Sequence, residues 1–398
     1  MNLRGATAIV GLGDTGYFGN SDQTAIALAH KAVAAALDDA GLKRADIDGL
    51  VVHIGSPRGA DYDQLANALN LRVRFAAQSW SHGRFASTVV MHGAMALMAG
   101  LADCVLLVAA FNNSSFGKHG SKTRPTFHES LREGGGPHAE LPYAGLAAPV
   151  GGAAMATKRY MHKYGVAPEK LAAVPIALRQ HAQLNPRAAM RKPMTEADYL
   201  ASRFVAEPLR VFDCSMIVDA AVAILMTRAD RAADCKSKPV FLLGVQGVHG
   251  GPDEFIFGQP GLGINQDGVF DYAPDPADQL VFRMAGVGPA DIDSLHLYDG
   301  FSPQIWWTLE RFGFCAVGDA PDFVQDGRIG PGGALPVNTS GGHLSEGHFN
   351  GWGQIAETVR QIRGEAGERQ IADAQLIQWA TTLGDSLIFG ADAHGGAA

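Results

Sequence analysis

The chain has 398 residues, of which 47% are apolar and 18% charged, and its formal net charge is −8. That composition suits a large, mostly buried, oligomeric enzyme rather than a solvated binding module. With no basic stripe it offers nothing to nucleic acid or an anionic membrane, and with no apolar run of ~18 residues it has no spanning helix to insert.

The first segment, MNLRGATAIVGLG, moves straight into a strand near 7–12 and has no signal-peptide core, which points to the cytoplasm. Cys104, Cys214, Cys235 and Cys315 form no CxxC pair, so neither a zinc site nor a disulfide framework is expected, as suits a reducing compartment. Gly11-x-Gly13-x-x-Gly16 follows the first strand. A dinucleotide fingerprint would open a helix at the third glycine. Here the chain continues YFGNSDQ, and the predicted helix covers 21–40 with Ser21 as its cap, which favours a glycine-rich turn.

A strand is predicted at 50–54, then the turn QSWSHGRF enters a helix over 84–101. Ser79, Ser81 and His82 in that turn are either candidates for chemistry or caps and turn formers. A buried strand follows at 104–110. The irregular stretch after it holds NNSS, GGG and PHAELP before a helical pattern resumes at 152–164. The whole, about 112–165, reads as a loop insertion acting as a lid or substrate-binding segment. The half boundary is expected within RADRAADCKSKP, giving an N-terminal half at 1–235 and a C-terminal half at 236–398. In the second half strands are predicted near 239–245, 294–298, 376–382 and 385–390, with helices near 302–313 and 350–363. Alternating strands and helices imply parallel sheets covered by helices.

An internal duplication organises these elements. AGLKRADIDGL at 40–50 aligns without a gap with AGVGPADIDSL at 285–295. Each ends a helix at glycine, Gly41 or Gly286, and leads into a short apolar strand, LVVHIG or LHLYDG. ADCVLLVAA at 102–110 aligns with ADAQLIQWA at 372–380 in the same order.

Two second-half segments carry the chemistry. LHLYDGFSP puts Tyr298 and Asp299 at the end of a strand, where open α/β sheets bind ligands. Tyr298 there either exchanges a proton with substrate or packs on Trp306 and Trp307. NTSGGHLSEGHFNG, residues 338–351, is glycine-rich and enters a helix. Its backbone can approach a ligand closely and its N–H groups can face an oxyanion. His348 is placed to act as general acid or base. His343 and His348 lack a third ligand, so no metal is expected.

At these motifs the sequence resembles the thiolase superfamily, in its sterol-carrier and lipid-transfer-protein branch, over nearly the whole chain. The resemblance implies a thiolase fold: two duplicated βαβαβαββ halves forming a five-layer αβαβα sandwich, and a homodimer. It carries over Asn338, Gly341, Gly342, Gly347, His348 and Gly351, with His348 as catalytic histidine. Tyr298 replaces another histidine of the branch, while Asp299 and Phe301 match. The thiolase nucleophile would fall on Gly83, and no cysteine stands there. Without a thiolate, ping-pong acyl transfer has no covalent carrier.

Lipid-transfer-protein-type aldolases of steroid side-chain degradation also lack that cysteine and have a tyrosine matching Tyr298. Some carry a second catalytic tyrosine where this chain has His348. The resemblance therefore implies retro-aldol cleavage of a β-hydroxyacyl-CoA, with Tyr298 and His348 sharing the proton. Gly83, Asn338, His343 and Gly384 are expected to help bind the substrate or its thioester oxygen. It also implies a small OB-fold partner with a zinc ribbon, and no cofactor in this chain. A Claisen-type C-acyltransferase and a non-catalytic thiolase-like scaffold are the competing readings.

Overall fold

The computed structural model describes residues 3–19, 21–54, 60–79, 86–112, 149–248 and 275–394. Gly83, Ser81, His82 and residues 113–148 of the expected insertion lie outside them.

The first half supplies strands β1 (Thr7–Asp14), β2 (Gly49–His53), β3 (Phe75–Ser79) and β4 (Cys104–Phe111). A small separate ribbon, β5 (Phe204–Ala206) with β6 (Leu209–Arg210), precedes β7 (Ala220–Arg228). Then come β8 (Val240–Gln246), β9 (Ser294–Leu297), β10 (Leu376–Ala380) and β11 (Ser386–Gly390). The large sheet runs β3-β2-β4-β7-β1-β8-β11-β10-β9. It is two similar sheets, joined where Ala8 and Ile9 of β1 meet Phe241 and Val240 of β8. In the first, β2 is parallel to β3 and β4, and β7 is antiparallel to β4 and β1. In the second, β9 is parallel to Val337 and β10, and β11 is antiparallel to β10 and β8. Order and direction repeat, so the duplication is a property of the fold.

Helix α1 (Ala25–Ala40) ends at Gly41 in the left-handed region, φ 69°. Helix α2 (Ala86–Met98) precedes β4, and α3 (Pro149–Tyr164) occupies the end of the expected insertion. Next in chain order are α4 (Ala173–Gln183), α5 (Leu280–Ala285), α6 (Pro303–Arg311), α7 (Gly342–Ser345) and α8 (Trp352–Arg363). Like α1, α5 ends at a left-handed glycine, Gly286, φ 67°.

Three apolar clusters separate the layers. Leu28, Ala32 and Ala36 of α1 pack with Val10, Leu50 and Leu106 on one outer face. Val89 and Val90 of α2 and Ile355 and Val359 of α8 lie between the sheets, against Leu107, Ile224, Ile377 and Leu387. On the other outer face, Phe282 of α5 and Ile305 and Trp306 of α6 cover Leu295, Leu297 and Ile388. Successive residues of β4 face different layers, Leu106 outward and Leu107 inward, as a strand buried on both faces requires. The result is the expected αβαβα sandwich.

Two expectations shift. The first helix starts at Ala25 with Thr24 as its cap, not at Ser21. The Ser21 N–H is bound 2.8 Å from Asp219 Oδ2, which holds that residue outside the helix. The second repeat match also slips by two. Gly49 pairs with Val105 and Ser294 with Ile377, so Cys104 corresponds to Leu376 rather than Ala374. The backbone accounting agrees: Asp48 accepts N–H bonds from Asp103 and Cys104, Asp293 from Gln375 and Leu376.

Gly11 and Gly13 are packing residues within β1. A Cβ on Gly13 would lie 2.1 Å from the Ala32 carbonyl oxygen of α1, and one on Gly11 2.5 Å from that of Ala36. Gly244 of β8 faces α5 similarly, 2.3 Å from the Val281 carbonyl oxygen.

Candidate active site

The site is built where β9 ends. Asn338 sits in the left-handed region, φ 52°, and turns its amide onto the strand. Its Oδ1 accepts from the Leu297 N–H at 2.7 Å and its Nδ2 donates to the Leu297 carbonyl at 2.9 Å. Both ends of that buried amide are thus engaged in fixing the strand that delivers Tyr298. Asp299, next along, is fully buried. Its carboxylate accepts from the N–H groups of His343 (2.9 Å) and Leu344 (3.2 Å) and from Gln354 Nε2 (2.8 Å). Burial pushes Asp299 up to about 8, against the pull of these donors. It ties the strand end to the glycine-rich loop.

Three rings meet above this anchor. His343 and His348 are stacked, with centroids 4.4 Å apart and planes 7° from parallel. Tyr298 stands edge-on to both, at 4.8 Å from His343 and 5.6 Å from His348. Tyr298 Oη lies 3.2 Å from His348 Nε2, which also faces Asn350 Oδ1 at 3.2 Å. No ring contact is described between Tyr298 and Trp306, which instead packs beside Tyr160.

The buried His343 has a fixed tautomer. Its Nε2 accepts the Gly351 N–H at 2.9 Å, so its ring proton is on Nδ1, 3.5 Å from Asp299 Oδ1. Burial, with His348 beside it, holds His343 well below the ordinary imidazole range. His348 is half-buried as a residue, yet protein packs closely around its ring, and burial pushes it down to about 4 with the Asn350 bond opposing. Both imidazoles are therefore neutral at pH 7.

His348 is held from its other side by residues 214–217. Its N–H donates to the Met216 carbonyl at 2.7 Å, and the Ser215 N–H donates to the Gly300 carbonyl at 3.1 Å. Ser215 Oγ is thereby placed 2.7 Å from His348 Nδ1. Sequence reasoning missed Ser215 and Asn350. The polar residue beside Cys214 was the signal available for Ser215.

Gly384 does not present a free donor. Its N–H closes the β10–β11 turn onto the Thr381 carbonyl at 3.2 Å, and its carbonyl accepts from Gln246 Nε2 at 2.7 Å. Of the N–H groups near that turn, the one of Gly384 itself is engaged within it. Burial pushes the thiols of Cys104 and Cys214 up to about 12 and raises those of Cys235 and Cys315. Among the described residues no group of three His, Cys, Asp or Glu side chains could hold a metal ion, and no helix is long and apolar enough to cross a membrane.

Residues 266–387 match the family model described as "Thiolase C-terminal domain-like". The chain is 38% identical over 376 residues to a 17-hydroxy-3-oxo-4-pregnene-20-carboxyl-CoA lyase of Mycobacterium tuberculosis, covering 91% of this chain and 92% of that one. It is 34% identical over 366 residues to a steroid side-chain-cleaving aldolase of Thermomonospora curvata, covering 91% of each. Among solved structures, the Ltp2-ChsH2(DUF35) aldolase superposes with a TM-score of 0.86 at 32% identity, over 98% of this chain and 99% of that one. A duplicated sandwich, a cysteine-free site and these relatives lead to one assignment: the chain belongs to the thiolase superfamily, in its branch of C–C lyases that includes the steroid side-chain-cleaving aldolases.

Proposed function

We propose that this chain cleaves a steroid-type β-hydroxyacyl-CoA by a retro-aldol reaction, giving a ketone or aldehyde and a shorter acyl-CoA. The observation that carries the reading is the 3.2 Å contact between Tyr298 Oη and the neutral His348 Nε2 in a site without a reactive thiol. The name of the mycobacterial relative fits, since a 17-hydroxyl is β to a carboxyl carried on carbon 20.

In this reaction the β-hydroxyl proton passes to the Tyr298/His348 pair. The O–H electrons form the new C=O bond, and the Cα–Cβ electrons move onto the thioester as an enolate. Protonation at Cα releases the shorter acyl-CoA. Nothing in these steps needs a covalent acyl-enzyme. A positioned acid–base pair supplies ~10²–10⁴-fold in rate. His348, at about 4, is a proton acceptor rather than a standing cation, so it relays through Tyr298 instead of neutralising the enolate. Asn338 and Asp299 position the strand end and loop, and His343 supports the His348 ring from behind.

The assembly proposed is a homodimer joined by a smaller OB-fold, zinc-ribbon subunit, with zinc held only there. The similar solved aldolase, Ltp2-ChsH2(DUF35), is named for two chains, which supports a partner subunit. The homodimer is supported by β3, which ends the sheet order, and by the exposed Tyr62, Met95 and Leu101 in the same half. The free cysteines fit a reducing cytoplasm.

The test is to incubate the purified chain, with its partner, with a β-hydroxyacyl-CoA and identify the products by mass spectrometry. The reading requires a carbonyl product and a shorter acyl-CoA in equal amounts without added free CoA. Cleavage that depends on free CoA, or no cleavage by the assembled complex, contradicts it.

A further inference from the structure

We propose that Ser215 is the positioning residue that lets His348 carry a proton, its hydroxyl acting as acceptor for Nδ1–H in one tautomer and as donor to Nδ1 in the other. This rests on the Tyr298/His348 reading and adds to it a third member, from a segment outside both site loops.

Backbone bonds lock Ser215 to its task. Its N–H is tied to the Gly300 carbonyl, two residues after Tyr298, and the next residue, Met216, accepts the His348 N–H. Residues 217 and 348 form a parallel bridge, and residues 214 and 301 an antiparallel one. The hydroxyl thus faces Nδ1 at 2.7 Å while Tyr298 and Asn350 share Nε2.

The proton relay makes a specific demand on this arrangement. To take a proton at Nε2 from Tyr298, His348 must hold a lone pair there and carry its own proton on Nδ1. That Nδ1–H needs an acceptor, and Ser215 Oγ is placed as one. After the transfer both ring nitrogens carry protons: Nδ1–H remains on Ser215, while Nε2–H faces Tyr298 Oη and Asn350 Oδ1. In the neutral Nε2–H tautomer the same hydroxyl rotates and donates to Nδ1. A hydroxyl serves both tautomers; a carboxylate would favour the cation and hold the proton. Among the described residues, the charged or titratable side chains near the ring are Tyr298 at its edge and His343 on its face, with Asp299 beyond His343.

The experiment combines nitrogen-15 NMR of the histidine rings with steady-state cleavage by the complex. Wild type is expected to show Nδ1–H character at His348. Ser215→Ala should shift that ring toward Nε2–H, for which Asn350 Oδ1 then becomes the acceptor, and lower kcat ~10- to 100-fold with KM little changed. Ser215→Thr, which keeps the hydroxyl, should recover the wild-type tautomer and most of kcat. An unchanged tautomer with kcat within about twofold in Ser215→Ala overturns the proposal, as does failure of Ser215→Thr to recover either signal when folded. If Tyr298→Phe and His348→Ala abolish turnover while Ser215→Ala is silent, this proposal alone fails. If those two variants cleave normally, the function reading fails first.

Discussion

His53 and Tyr298 hold the same place in the two halves, the fourth position of LVVHIG and of LHLYDG, yet one is sealed in the core and the other is only half-buried. His53 is fully buried; its Nδ1 accepts the Trp352 indole N–H at 2.7 Å, and Phe111 stands edge-on at 5.6 Å. Tyr298 has imidazoles as its ring neighbours. Duplication supplied two strand ends, and the glycine-rich loop around the second made a site of it.

The two positions should respond differently to loss of a polar atom. His53→Phe strands the buried Trp352 N–H, at a cost of about 1–3 kcal/mol in stability. Tyr298→Phe should leave stability within about 0.5 kcal/mol, because the residue is only half-buried and its hydroxyl contact is long at 3.2 Å. Urea unfolding of both variants checks this; equal destabilisation would contradict the difference in roles.

Because burial holds His348 near 4 instead of the ordinary value of about 6.5, the neutral ring needed to accept a proton persists well into acid. Activity should therefore hold as pH falls from 8 through 6.5, and decline only as it approaches about 4. His181 and His296 are also held at about 4 by burial. The unfolded chain takes up those protons below about 6.5 while the folded chain refuses them, so these histidines cost stability as pH falls. Rates should be read within seconds of a pH jump. An acid limb centred near 6.5 in the folded complex would contradict the assignment.

Thiol chemistry should be dispensable. With all four thiols raised by burial, little thiolate forms near neutral pH. Iodoacetamide at pH 7.5 should leave the cleavage rate within about twofold over an hour. Rapid inactivation matched to alkylation of one cysteine would restore a covalent mechanism.

Gly13→Ala tests the packing account of the Gly-x-Gly pair. The added methyl meets a backbone oxygen of α1, so strand and helix must separate, at a cost of about 1–3 kcal/mol or more. Unchanged stability in thermal and urea unfolding would argue that the glycines serve something else.

The duplication was legible because left-handed caps at Gly41 and Gly286 and the acidic residues after them mark the same turn in each half. The loop around His348 was legible because glycines and histidines seldom crowd together without a reason. What stayed hidden depends on distant partners. Ser21 looked like a cap until Asp219, far along the chain, took its N–H. Asn338 and Gly384 were legible as residues of the site, but their bonds to Leu297 and Thr381 appear only in the folded chain. Ser215 meets His348 across 133 residues, and no local pattern encodes that contact. The register of β10 was misjudged because all five of its residues are buried, so no alternation of buried and exposed positions fixes it.

The central claim is that Tyr298 and His348 together move the proton of a retro-aldol cleavage. The most direct measurement is kcat of the complex on a β-hydroxyacyl-CoA for wild type, Tyr298→Phe and His348→Ala, each shown to be folded. The account predicts a fall of at least ~10²-fold in both variants. Near wild-type turnover in both would contradict it.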